Sequence, residues 1–237
     1  MKIRSTALLL ISLSIVFSND KNNQPLDSRG YSVKLGEPSP NFILEFPDGS
    51  VSSFDELRGE VIMLQFTASW CSVCREEMPH IEREIWRKYK KAGLQLIGID
   101  RDEPREVVKK FAKEMRISYP LAMDSGAVTF EKFAEEGSGI TRNIIINSEG
   151  EIVCLTRLFD REEFNNMIAI IHAELDKKIT RDLSFLEKKL ERLMARKAAT
   201  GYRSVGSKRI SHQIKKTRAN LKKTGAKRFH LNKIALP

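Results

Sequence analysis

The chain has 237 residues, 41% of them hydrophobic and 30% charged, which is enough for one domain of ordinary size with a proper core, plus extensions. Its net charge of +10 is unevenly spread: residues 176–237 hold 19 Lys and Arg against 4 Asp and Glu, leaving the first 175 net acidic by about five. A uniformly basic domain is therefore excluded, and the overall pI describes a tail.

In chain order, Lys2 and Arg4 lead into an apolar run at residues 6–17 (TALLLISLSIVF), the pattern of an export signal with cleavage after Ser18. About twelve apolar residues are short for a membrane span, which needs about 20. A buried N-terminal strand or an uncleaved anchor are the alternatives, and no nearby cysteine offers a lipid attachment point. The division expected is signal 1–18, flexible spacer 19–32, a domain over 33–175, an amphipathic helix over 176–197 and a basic tail over 198–237. Within the domain, residues 42–46 and those from Val51 read as a hairpin across Pro47-Asp48-Gly49-Ser50. Ser53 and Glu56 form a capping-box pattern opening a short helical turn. Val61-Ile62-Met63-Leu64-Gln65-Phe66 is an apolar strand, and a helix follows to about Lys91. A buried strand at 94–100 comes next, then a helix from Pro104 with Val107, Val108, Phe111, Ala112 and Met115 on one face. A short strand (119–123), a short helix (127–136) and a hairpin (143–147 and 151–156) precede a last domain helix capped by Asp160. This alternation predicts an α/β sandwich with a mixed sheet.

The junction after the first apolar strand carries the chemistry. Phe66-Thr67-Ala68-Ser69-Trp70-Cys71-Ser72-Val73-Cys74 puts two cysteines, two residues apart, where strand turns to helix. Cysteines at that spacing can close a small disulfide ring, and a helix N-terminus lowers the pKa of a thiol placed on it. A redox-active dithiol needs that combination. Half of a zinc site and a structural disulfide are the alternatives; zinc needs two further Cys or His ligands, and no second CxxC or HxxxH exists.

The chain resembles the TlpA/ResA branch of the thioredoxin superfamily over about residues 33–175. The resemblance rests on Gly36-Glu37-Pro38-Ser39-Pro40-Asn41-Phe42, on Leu57-Arg58-Gly59-Glu60-Val61, and on the run from Trp70 through Cys71 and Cys74 to Pro79. It also rests on the segment ending in Tyr119-Pro120 and Asp124, and on the stretch from Gly139 to Gly150. It implies a thioredoxin-like α/β fold with an N-terminal β-hairpin and a central βαβ insertion, its mixed sheet flanked by helices. Under it Cys71 is the attacking thiolate and Cys74 resolves the mixed disulfide. Trp70 shields the site and offers an apolar landing surface. Glu77 matches a glutamate kept close to the cysteine pair, where a carboxylate partly removed from water can pass protons; a solvated helix glutamate is the alternative. Pro79 matches a helix-kinking proline. The family usually faces its CxxC with a cis-proline, and here Thr141 stands in that place, between Ile140 and Arg142. A cis bond before a non-proline residue costs roughly 2.5–4 kcal/mol, so the loop is either trans or strained. Ile140, Thr141 and Arg142 are the substrate-binding candidates, Thr141 bringing a hydroxyl near Cys71 and Arg142 a charge, although an exposed arginine is the commoner case at a strand start. Cys154, alone on a strand, reads as a small buried hydrophobe.

After Leu175, the residues Ile179, Leu183, Leu186, Leu190 and Leu193 recur at 4-3-4-3 spacing, an amphipathic helix with a coiled-coil-like seam. Residues 198–237, poor in large apolar side chains, read as a basic extension that is disordered or loosely helical. It is either a solvated extension or a holder of an anionic surface.

The leader and the resemblance together imply an exported, extracytoplasmic thiol–disulfide oxidoreductase, without a cofactor beyond its redox-active disulfide. By analogy it reduces disulfides in envelope proteins, apocytochromes c among them, with a membrane-embedded electron donor. Nucleic acid is not the partner expected of an exported chain. A peroxiredoxin-like thiol peroxidase and a tail-driven binding protein with a redox-sensing dithiol are the rival readings.

Overall fold

The computed structural model describes residues 28–199 and 205–237. The expected signal (1–18) and most of the spacer lie outside the described residues. Seven strands form one mixed sheet in the order β2-β1-β5-β4-β3-β6-β7. The strands are β1 (Ile43–Glu45), β2 (Val51–Ser53), β3 (Ile62–Thr67), β4 (Gln95–Arg101), β5 (Leu121–Asp124), β6 (Arg142–Ile146) and β7 (Ile152–Arg157). β3, β4 and β5 are parallel, and the two hairpins join antiparallel at either side. β3 is buried at all six positions because it is central and covered on both faces, which is why it reads as a continuous apolar run. The unit formed by β4, α3 (Arg105–Glu114) and β5 is the expected βαβ insertion.

Two cores result, one on each face. Ile62, Leu64, Phe66, Ile97, Ile99, Ile144 and Ile146 pack with Phe42, Phe130 and Phe133 on one side. Met63, Leu96 and Ile145 point to the other, against Met78, Ile81, Ile85, Phe111, Phe164 and Ile171 from the helices. The alternation is the two-residue period of a strand sorting its side chains between two layers. The expected capping box holds: Glu56 accepts from the Ser53 N–H, and Ser53 Oγ accepts from the Asp55 N–H at the start of a single 3-10 turn. α1 (Ser72–His80) contains Pro79, and the helix continues as a π-type stretch over Ile81–Trp86 before α2 (Arg87–Tyr89). A proline lacks the N–H its turn needs, and a widened turn beside it is one way the backbone adjusts. The predicted helix at 127–136 shrinks to α4 (Phe130–Phe133).

Two expected boundaries and one of the two expectations for the tail are corrected. The spacer does not run to residue 32: Tyr31 is wholly buried, bridges to Ala134, and its hydroxyl donates to the Thr156 carbonyl. No break separates domain helix from amphipathic helix at 175/176, since α5 is one helix from Arg161 to Ala199, capped by Asp160 accepting from the Glu163 N–H at 2.8 Å. Thirty-nine residues at 1.5 Å each make it about 58 Å long. The C-terminal extension is not disordered where it is described: α6 (Val205–Leu231) turns back along α5 and seats Leu231 in the second core. Arg228 reaches Asp176 at 3.0 Å and His230 bonds the Lys88 carbonyl at 2.8 Å. Among the described residues no helix is long and apolar enough to cross a membrane.

Candidate active site

The end of β3 delivers Cys71 to the N-cap position of α1, with extended backbone (φ −82°, ψ 105°). Its sulfur accepts the Cys74 N–H at 3.1 Å, so it occupies the place a capping oxygen takes in an ordinary helix. That N–H and the helix field favour negative charge on Cys71 whenever the sulfur is free. The pair is joined as a disulfide, with Cα atoms 5.3 Å apart, inside the range such bridges occupy. Cys71 keeps 7% of its surface and Cys74 none, so an incoming sulfur meets Cys71 first. Trp70, 65% exposed, stands at the rim as an apolar surface open to solvent. Its loop is pinned from below: Glu103 accepts from the Ser69 N–H at 2.5 Å and from the Ser69 hydroxyl at 2.6 Å, while Arg75 donates to the Ser69 carbonyl at 3.0 Å.

Thr141 does face the pair. No cis peptide bond occurs among the described residues, so the bond before Thr141 is trans. Its hydroxyl oxygen lies 3.3 Å from the Cys71 sulfur and 3.4 Å from that of Cys74. Disulfide sulfurs carry no hydrogen, so the hydroxyl is the donor in this state. Its carbonyl accepts from the Leu158 N–H at 3.2 Å and from Arg157 at 3.3 Å, which fixes the loop. Ile140 is buried beside it and belongs to the first core.

Arg142 is not a substrate residue, contrary to the expectation from its sequence position, nor is it exposed. It is fully buried, donates to the carbonyls of Gly139 (3.1 Å) and Arg29 (2.9 Å), and lies 4.3 Å over the Tyr31 ring. A planar guanidinium can leave water when carbonyls and an aromatic face receive it together. It builds the Thr141 loop from behind.

Glu77, one turn beyond Cys74, is 1% exposed. Burial pushes its carboxyl up to about 8; the bond from Asn143 and then the nearby Gln65 amide pull the other way, and the charge of Glu163 adds to the rise. Asn143 Nδ2 donates to Glu77 Oε1 at 2.6 Å and to the Thr156 hydroxyl at 2.9 Å. Strand register explains the meeting: Gln65 on β3 is opposite Asn143 on β6, which is opposite Thr156 on β7, a polar row under the active-site helix. The row continues to Gly98 on β4, where a Cβ would collide with Leu121 and stand 3.4 Å from the Tyr119 ring. Gly98 thereby leaves room for Tyr119, whose hydroxyl donates to Gln65 Oε1 at 2.7 Å. Two residues along β4, Asp100 is a second buried carboxyl, opposite Thr67, raised to about 8 by burial and then by the charge of Glu103.

Sequence reading missed Gln65, Asn143, Thr156, Tyr119 and Asp100. The signal was present, since a polar residue inside an otherwise apolar strand is the informative exception. Cys154 is buried, with its thiol pushed up to about 12 by burial, the state of an unreactive core cysteine. Among the described residues no group of three or more His, Cys, Asp or Glu is placed to hold a metal ion.

Residues 35–154 match the AhpC/TSA family. Among curated relatives, the thiol-disulfide oxidoreductase ResA of Halalkalibacterium halodurans is 32% identical over 121 residues, 51% of this chain and 67% of that protein. ResA of a Bacillus cereus strain is 29% identical over 121 residues, 51% of this chain and 68% of that protein. A solution structure from Bacteroides thetaiotaomicron, named as a protein disulfide isomerase, superposes with a TM-score of 0.60 at 52% identity, over 62% of this chain and 93% of that one. A crystal structure from Chlorobium tepidum, named as the thiol:disulfide interchange protein DsbE, gives 0.55 at 25% identity, over 61% of this chain and 99% of that one. The chain belongs to the AhpC/TSA family, is of TlpA/ResA type within it, and with its Cys71–Cys74 pair is a thiol–disulfide oxidoreductase.

Proposed function

We propose that the protein is an exported reductase of disulfides in extracytoplasmic proteins. The observation that carries the chemistry is the Cys71 sulfur at the α1 N-cap, 3.1 Å from the Cys74 N and 3.3 Å from the Thr141 hydroxyl. In the reduced protein the Cys71 thiolate attacks one sulfur of a substrate disulfide. That S–S bond breaks, one substrate thiolate leaves, and a mixed disulfide forms. Cys74 then passes its proton to Glu77 and attacks the Cys71 sulfur. The second substrate thiolate departs and takes up a proton, and two electrons have moved from the cysteine pair to the substrate. Glu77 suits the base role because a carboxyl held near 8 is close in proton affinity to a thiol. Thr141 steadies negative charge on whichever sulfur carries it, and exposed Trp70 receives an apolar part of the polypeptide substrate.

Export rests on the leader-like run at 6–17, and the reducing direction is carried only by analogy from the TlpA/ResA resemblance. Resetting the disulfide requires a dithiol donor, for which a membrane-embedded protein is the proposed class, and apocytochromes c are included among the proposed substrates. The basic tail is proposed to meet an anionic surface of the envelope.

Trapping with Cys74→Ser tests this reading. The variant is expected to accumulate mixed disulfides through Cys71 with exported proteins. Recovery of none, together with rapid peroxide consumption by the wild-type protein, overturns it in favour of a peroxidase.

A further inference from the structure

α6 turns one face to α5 and the domain with heptad regularity: Ser207, Ile210, Ile214, Thr217 and Leu231 are buried, and Leu221, Thr224 and Arg228 are half-buried in the same 3-4 spacing. The two positions after each first seam residue point outward. They are occupied by Lys208-Arg209, Lys215-Lys216 and Lys222-Lys223, all six exposed. Seven residues are two turns, so the doublets repeat every ~10.5 Å along one side of the helix. Residues 205–237 contain ten Lys and Arg and no Asp or Glu.

A merely solvated helix face has a different signature, and α5 supplies it. Its outer end mixes Glu187, Lys188, Lys189, Glu191 and Arg192, so each charge has an opposite one within a turn. On α6 the charge has no such neighbour of opposite sign along the helix, and six of the ten cations in residues 205–237 fall on one stripe. The fourth doublet position continues the stripe with Phe229, 64% exposed, over which Lys233 Nζ sits 4.1 Å from the ring centroid. Exposed Leu236 follows in the C-terminal segment. A straight cationic stripe ending in an exposed aromatic fits the headgroup layer of a membrane, where cations meet lipid phosphates and the ring lies among the first carbons.

We propose that this stripe, three basic doublets and Phe229, docks the protein on an anionic phospholipid bilayer. The proposal rests on the reading that the tail meets an anionic surface, and it names that surface and the residues. From Lys178 onward, the outer part of the hairpin of α5 and α6 lies at the end of the sheet away from the dithiol. Lys178 pairs with Glu60 just before β3 at 3.6 Å, Arg181 contacts Ser148 at 3.0 Å and Glu149 in the β6–β7 turn, and Lys227 lies beside Gly93 just before β4. Cys71 follows the opposite end of β3. The stripe and Cys71 are thus separated along the length of the strands, so docking through α6 leaves the Cys71 rim uncovered for soluble substrates.

The test is sedimentation of the full chain with mixed phosphatidylglycerol–phosphatidylcholine vesicles and with pure phosphatidylcholine vesicles. Binding is expected to the mixed vesicles alone. Replacing Lys215, Lys216, Lys222 and Lys223 together by Gln is expected to weaken it about a hundredfold or more. Replacing the same four by Arg is expected to preserve it, which separates lost charge from lost fold. Phe229→Ala is expected to weaken vesicle binding about tenfold while leaving capture by soluble polyphosphate unchanged. Equal binding to both vesicle types, an unaffected Gln variant, or tighter capture of a short single-stranded RNA than of the mixed vesicles overturns the proposal. Reduction of insulin disulfides, measured on the same samples, reads the redox function separately, so its loss is distinguishable from a failure to dock.

Discussion

The dithiol end and the C-terminal hairpin both depend on charge, and they use it in opposite ways. Around Cys71 a few ionisable groups are withdrawn from water one at a time, each with named partners. Glu77 and Asp100 are pushed to about 8, so single protons become chemically significant near neutral pH. Along α6 the cations stay in water and act by number and spacing. Burial makes one residue decisive; exposure makes each residue nearly dispensable. One substitution should therefore cripple the first region, whereas the second should yield only to several.

That contrast can be broken on a single scale, the rate of disulfide exchange. Cys71→Ser should abolish turnover, and Cys74→Ser should stop it after the first exchange, with the mixed disulfide visible on a non-reducing gel. Glu77→Gln should slow release of the mixed disulfide by about a hundredfold, the low end of general-base contributions. It should also flatten the rise of that step with pH, which in the wild type follows ionisation near 8. The same variant reports on stability. A carboxyl raised in the native state makes the folded protein hold a proton the unfolded chain releases, so stability falls as pH rises from about 4.5 to about 8. Glu77→Gln should lessen that fall by a few kcal/mol in urea titrations at the two ends of the window. Asp100 carries the same sign, so part of the fall remains. Thr141→Val should slow attack on substrate by about tenfold, the size of one hydrogen bond to a charged group. Its signature is a Cys71 thiolate absorbance that titrates at higher pH, whereas Thr141→Ser restores the wild-type value. The four-lysine Gln variant on α6 should change insulin reduction by less than about twofold. A larger effect would show that the two regions are coupled.

The CxxC and the strand before it are legible because they are local: six apolar residues, a turn and a helix start lie within one stretch of chain. The polar row is not. Gln65, Asn143 and Thr156 are each visible as misfits in apolar strands, yet which faces which depends on the register of β3 against a hairpin far downstream and on the register within that hairpin. Arg142 read as exposed because the ring and carbonyl that receive it, from Tyr31 and Arg29, lie more than a hundred residues upstream. α6 escaped for a subtler reason. Its seam alternates Ile210 and Ile214 with Ser207, Thr217 and Thr224, and so lacks the run of leucines that exposes a heptad. The Thr217 hydroxyl satisfies itself on the Gln213 carbonyl at 2.9 Å, which lets it stand in a seam as a small, self-contained side chain.

The segment from Arg29 to Tyr31 works as a strap across the back of the Thr141 loop. Arg29 is tied to Glu163 at 2.5 Å, its carbonyl holds Arg142, and Tyr31 fills the space beneath that guanidinium. Mechanically, these residues brace from behind the loop that faces the sulfurs. A protein trimmed to begin at Val33 would keep every strand and helix and both cysteines. It would also have lost the backing of its active-site loop, and kinetics measured on it would describe a different enzyme.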